Sequence, residues 1–337
     1  MRREILDSKS WGSFASCVHR TQAFLSPILL LLFIGSLLAA MHFPSGLIPQ
    51  FPGSASAQTK PFQYGVKVEL VGLYATVHDR AGKLVTSLNQ TDFIIYDEGV
   101  PQPITQFSRE YIPLAVSILL DTSGSMAGKK LDHARQSLLQ FLKRLNPGDE
   151  ALLMTIQTKP RLIQNFTQDL DVIRQPLKQL DGFGSTALYD AILMALDQTQ
   201  RSQNRRRALL LISDGINTYG KARLDETVAT LRRKGIELFA IGLDTAVPVS
   251  QRDQITTKSV LDQLTRSAGG ISFIIDDSKD LSRICSVISE QMHNQYSFGY
   301  YPPKTQEGEW RAIRLETKNP RLRVVASKTG YYTPLNR

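Results

Sequence analysis

Between residues 114 and 295 continuously apolar runs alternate with amphipathic ones, and this alternation restricts the fold more than any other feature of the chain. The runs LAVSILL (114–120), ALLMTIQ (151–157), ALLLIS (208–213), ELFAIGL (237–243) and ISFII (271–275) are apolar on both sides of the pleat. Strands buried on both faces belong to a parallel sheet covered by helices. Helical periodicity stands between them, over 131–145, 170–180, 187–200, 224–234, 260–267 and 281–295. The order predicts a doubly wound α/β domain over residues 111–295, with a mostly parallel, Rossmann-like sheet and helices on both faces.

Both flanks read as β structure. Residues 63–110 hold strand-like runs at 64–77, 93–96 and 104–107, and residues 296–337 hold runs at 297–301, 310–317 and 322–327. Neither flank has enough strands to bury a face alone, so the two are expected to pair into one β-sandwich beside the α/β domain.

Residues 23–43 (AFLSPILLLLFIGSLLAAMHF) carry no charge. As a helix they would span ~31 Å at ~1.5 Å per residue, against a hydrocarbon core of ~30 Å. Arg2, Arg3, Lys9 and Arg20 precede the segment, which makes residues 1–22 a cytoplasmic n-region and puts the remainder outside the cytoplasm. Ala55-Ser56-Ala57 has the small-residue character of a cleavage site but lies far beyond the apolar core. A retained membrane anchor and a secreted mature chain both stay open. The Pro-, Ser- and Gly-rich stretch 44–62 is a linker. Cys17 and Cys285 fall on opposite sides of the apolar segment and cannot pair, and Cys285 lies in an apolar helical pattern that makes it a small core residue. The net charge of +9 is spread along the chain, and Arg205-Arg206-Arg207 is expected to be a solvated helix end, so no nucleic-acid partner is inferred.

Two of the apolar strands end in a carboxylate: SILL runs into Asp121 and LLIS into Asp214. If these strands are neighbours where the strand order reverses, their ends lie ~5 Å apart. Carboxylates that close repel unless a cation lies between them. In an extended loop, Ser123 and Ser125 would point to the same side as Asp121, and the small-residue turn 184–187 adds Thr186. Two carboxylates and three hydroxyls make an all-oxygen shell for a hard cation, Mg²⁺ first, with Mn²⁺ or Ca²⁺ as alternatives.

DTSGSM (121–126), GSTALYDAI (184–192) and SDG (213–215) together resemble the three loops of the metal-ion-dependent adhesion site of von Willebrand factor A domains, without a departure. The resemblance implies that Asp121, Ser123, Ser125, Thr186 and Asp214 form the metal shell, with Asp214 often acting through water. The flanks resemble a bacterial group of exported proteins related to these domains, through FSRE (107–110) and a tail of the type YSFGYYP…WRAIRLE…KTGYY. That second likeness adds no function.

The expected function is therefore an exported, divalent-cation-dependent adhesion or assembly module. Its two carboxylates just balance the cation and leave a position open, so a protein partner's Glu or Asp is the expected last ligand. An accessory subunit of an envelope enzyme or secretion machine is the alternative. Enzymatic readings are weaker. A phosphate-binding loop would need one more residue between Gly124 and Gly128, and Ser or Thr at Lys130. A nucleophile elbow would need glycine at Ser123. A metal-dependent hydrolase lacks a general base and a covalent nucleophile in the pattern.

Overall fold

The computed structural model describes residues 70–214, 217–243, 257–303 and 306–334. The n-region, the apolar segment 23–43, the linker and the first residues of the N-terminal β module lie outside the described residues. Among the described residues no helix is long and apolar enough to cross a membrane.

The N-terminal strands are β1 (Val71–His78), β2 (Phe93–Asp97), β3 (Val100–Gln102) and β4 (Gln106–Ser108). The α/β region follows as β5 (Leu114–Asp121), α1 (Lys129–Leu142), β6 (Glu150–Ile156), β7 (Arg161–Thr167), α2 (Leu170–Lys178), α3 (Leu188–Thr199), β8 (Arg206–Ser213), α4 (Leu224–Lys234), β9 (Glu237–Leu243), α5 (Thr257–Ala268), β10 (Ser272–Ile275) and α6 (Leu281–His293). The tail supplies β11 (Tyr296–Tyr300), β12 (Trp310–Thr317), β13 (Arg323–Ala326) and β14 (Gly330–Tyr332).

The central sheet runs β10-β9-β8-β5-β6-β7, parallel except for β7. Its strands alternate between two cores with the period of the pleat. Val116, Ile118 and Leu120 of β5 face one core with apolar residues of α1, α2 and α6, and Leu119 faces the other with those of α3, α4 and α5. This is the doubly wound arrangement that the apolar runs demand. Strand β7 was not expected. It pairs antiparallel with β6 at the sheet's edge, where a strand keeps polar residues such as Arg161, Gln164 and Asn165 and so loses the unbroken apolar signature. Cys285 is buried in the α6 core, and burial pushes its thiol up to about 12.

The two β flanks pair with each other. One sheet runs β13-β1-β11-β4 and the other β14-β12-β2-β3, so each draws strands from both ends of the chain. Leu73, Ala75, Ile95, Phe298 and Leu315 share one apolar cluster across the two sheets. Asp97 fastens this core. Fully buried, it accepts hydrogen bonds from Tyr300 and Tyr331 at 2.9 Å each and from Arg311 at 2.7 Å.

In the basic run 205–207, Arg205 is exposed as expected and Arg207 half-buried, but Arg206 departs from its expectation. Arg206 is buried at the start of β8, over the Tyr74 ring of β1 at 5.6 Å, and Glu237 beside it is also buried. Arg206 is not solvated there because the β-sandwich covers that end of the sheet. Nearby, buried Asp149 accepts from Leu114 N at 2.7 Å and Asn146 N at 2.8 Å, and it contacts His293 Nε2 at 2.8 Å and the Tyr111 hydroxyl.

Burial pushes the Asp149 carboxyl up, but the hydrogen bonds from His293, Tyr111 and the two backbone N–H groups outweigh it and hold the pKa below the ordinary value. A depressed carboxylate stabilises the fold above its unfolded pKa and loses that contribution as pH falls through the lower folded value. Asp149→Asn should therefore destabilise the protein at neutral pH by about 2–3 kcal/mol. Urea melts at a series of pH values should show the gap from wild type narrowing only below pH ~4.

Candidate metal centre at the carboxyl ends of β5 and β8

Parallel pairing of β5 with β8 sets Leu120 opposite Ile212, so both strands end together at the point where strand order reverses. Asp121 closes β5 and is fully buried. Its Oδ1 accepts from Ser123 N at 2.8 Å and its Oδ2 from Ser213 Oγ at 2.5 Å. Burial drives the Asp121 pKa up, hydrogen bonds from Ser213 and Ser123 pull it down, and the charge of Asp214 raises it again, for a net upward shift. A carboxylate under that pressure gains from any cation placed against it.

The loop after β5 differs from the extended form expected of it. Gly124–Met126 closes a 3₁₀ turn, with Met126 N donating to Ser123 O at 3.0 Å. The tight turn still gathers the hydroxyls, leaving Ser123 Oγ and Ser125 Oγ 3.1 Å apart. Ser125 Oγ donates to Asp214 Oδ1 at 2.8 Å. Four of the five expected residues thus form one hydrogen-bonded chain: Asp121, Ser123, Ser125 and Asp214.

Thr186 joins through the backbone of its loop. Gly124 N donates to Gly184 O at 3.0 Å and Phe183 N to Thr122 O at 2.9 Å, which ties the second loop to the first. Thr186 N donates to Thr218 Oγ1 at 3.0 Å, and Thr186 O accepts from Thr218 N and Tyr219 N, which ties it to the loop after β8. Gly184 makes the approach feasible. Its φ is +79°, and a Cβ there would lie 2.8 Å from Thr158 Oγ1, the atom that accepts from Ser185 N.

Two residues of the site carried no role in the sequence pattern. Ser213 was legible only as a letter of SDG, yet its hydroxyl bonds Asp121. Lys130 was counted only as a mismatch to a phosphate loop. Its Nζ lies 2.5 Å from Asp214 Oδ2 and 3.1 Å from Ser125 O. A signal was available: a lysine in the first turn of α1 sits at the helix pole that disfavours cations, where a nearby anion would offset the cost.

The donor set fits a hard divalent ion. Its oxygens come from two carboxylates and from serine and threonine hydroxyls, and one of the carboxylates, Asp214, already attracts the Lys130 ammonium. Among the described residues no three His, Cys, Asp or Glu side chains gather in one place.

An open, mostly parallel sheet with helices on both faces and a switch point between β5 and β8 defines the class: a doubly wound α/β domain. Comparison with known families makes it particular. Residues 116–217 match the von Willebrand factor type A domain, and the chain carries such a domain. Among curated proteins, inter-alpha-trypsin inhibitor heavy chain H4 from Homo sapiens is 24% identical over 236 residues, covering 64% of this chain and 24% of that protein. The Bos taurus counterpart is 27% identical over 242 residues, covering 66% and 25%. The chain thus spans about a quarter of the length of these relatives. Among solved structures, a von Willebrand factor type A protein from Catenulispora acidiphila aligns over 78% of this chain and 74% of its own, with 9% identity and a TM-score of 0.48. The PilB minor pilin from Streptococcus sanguinis aligns over 55% and 62%, with 15% identity and a TM-score of 0.46.

Gly184 can be tested against Gly82, whose φ is +80° but whose Cβ position is open. Each alanine variant should lose about 1–2 kcal/mol from the left-handed backbone alone. Gly184→Ala should lose more, because Thr158 must also move, and amide exchange at Gly124 and Ser185 should quicken only in that variant.

Proposed function

We propose that this protein is an exported, divalent-cation-dependent binding module of the adhesion or assembly type. Mg²⁺ is the expected ion, with Mn²⁺ or Ca²⁺ as alternatives, and Asp121, Ser123, Ser125 and Thr186 would hold it, with Asp214 direct or through water. When bound, the ion supplies an electrophilic coordination position at the domain surface. A protein partner's Glu or Asp would fill that position. The observation that carries the reading is the chain of hydrogen bonds from buried Asp121 through Ser123 and Ser125 to Asp214, which gathers oxygen donors around two like charges.

Binding rather than catalysis is the better account of these groups. Asp121 and Asp214 are engaged by serines, a backbone N–H and Lys130, an arrangement that fixes charge and geometry. His133 is bonded to Ser278 at 2.6 Å, which gives it a structural contact of its own. The family match supports a protein-interaction module. Exposed Phe183 and Tyr219 lie on the loops that carry Thr186 and follow Asp214, where a protein partner would bury them. The export reading rests on the charge-free segment 23–43 and the basic residues before it.

Calorimetry on the full chain should show Mg²⁺ or Mn²⁺ binding that Asp121→Ala removes; equal affinity in the variant would sink the site. A phosphatase fused after Arg337 should be active in the exported compartment, and a cytoplasmic fusion signal would reject export.

A further inference from the structure

Lys130 occupies a place where a helix least favours a cation. It is the second residue of α1, at the positive pole of the helix dipole. Its ammonium nevertheless turns back over the preceding turn, bonding Ser125 O at 3.1 Å and Asp214 Oδ2 at 2.5 Å. The Asp214 side chain is 1% exposed and that of Lys130 24%, so the contact is a partly buried one, little screened by solvent.

The ammonium divides the two oxygens of Asp214. Oδ1 accepts from Ser125 Oγ at 2.8 Å and faces the hydroxyls, while Oδ2 belongs to Lys130. A carboxylate so divided cannot offer both oxygens to a metal. It would offer the ion Oδ1, directly or through a water, with Lys130 holding it in that pose. The ammonium also alters the charge of the shell. Asp121 and Asp214 alone would neutralise a divalent ion, whereas with Lys130 included the loaded site keeps about one unit of positive charge.

We infer that Lys130 is a positioning residue for Asp214 and a fixed counter-charge of the metal shell: it weakens the hold on the metal and, by the same charge, strengthens the metal's attraction for an incoming carboxylate. The inference rests on the metal reading proposed above. It makes this site selective for an acidic ligand over a neutral one, since the retained positive charge attracts an anion far more strongly than a neutral donor. A salt bridge that merely braces the loop would behave in the opposite way, because its loss would loosen the donors and weaken metal binding.

The test uses the full chain as wild type, Lys130→Met, Lys130→Gln and Lys130→Arg. Mn²⁺ affinity is measured by calorimetry and by the electron paramagnetic resonance of free Mn²⁺, and acetate serves as the carboxylate probe on the Mn²⁺-loaded protein. Both neutral variants should bind Mn²⁺ ~10-fold more tightly than wild type, a gain of about 1.4 kcal/mol, and bind acetate several-fold more weakly. Lys130→Arg should stay near wild type. Glutamine keeps a hydrogen-bond donor, so it answers for the charge alone if methionine disturbs folding. Unchanged or weaker Mn²⁺ binding in the neutral variants, with wild type binding normally, would overturn the inference and leave the metal site intact. Binding that arises only when Lys130 is neutral would overturn the proposed metal dependence of the natural chain while supporting the counter-charge. No binding in any of the four proteins would overturn both.

Discussion

The pairing of β5 with β8 is the constraint on which the site depends. Only where strand order reverses do two neighbouring parallel strands send their following loops to opposite faces, leaving a crevice between them. Asp121 ends one strand and Ser213 ends the other, so the serine bonds the carboxylate across the crevice and Asp214 follows immediately. The remaining donors reach this point because three loops are stitched backbone to backbone, from Gly124 to Gly184 and from Thr186 to Thr218 and Tyr219. The like charges so assembled repel each other, and the structure offsets that with hydroxyl donors and one ammonium. The site thus holds two like charges together with neutral donors and one ammonium.

The opposite end of the sheet meets the β-sandwich through buried polar groups. Arg206 lies over Tyr74, Glu237 accepts from Gln295 at 2.9 Å, and Asp149 gathers Tyr111, His293 and the first N–H of β5. Each of these groups is costly to bury alone and tolerable only when its partners are in place. Such contacts require a defined placement of the partners, where an apolar contact would tolerate sliding. The chain passes from α6 into β11 within a few residues, so the helix that covers one face of the α/β core is tied at its end to the sandwich. The two polar assemblies sit at opposite ends of β5, one holding its entry and the other its exit.

The α/β class was legible because burial on both faces of a sheet writes itself into every residue of a strand. The runs at β5, β6, β8 and β9 have no polar alternation, and the helices between them repeat their apolar residues at helical spacing. The carboxylates were legible because Asp121 ends apolar β5 and Asp214 follows apolar β8, and Ser123 and Ser125 because of their spacing after Asp121. Strands β3, β7 and β14 were not legible, since an edge strand is half solvated and short ones carry Pro101 or Gly330 rather than an apolar pattern.

Sequence by itself determined the alternation of strands and helices, the two carboxylates at strand ends and the need of the β flanks for partners. Tertiary structure alone decided which strands became neighbours, and with that which groups meet. Ser213 and Lys130 belong to the site through atoms separated by 92 and 84 residues of chain from the carboxylates they bond. Arg206 reads as a solvated charge in its local sequence and is buried because a strand more than a hundred residues earlier lies over it. Local pattern reports how a residue meets water along its own element. Which distant charge comes to stand beside it is fixed only when the layers pack.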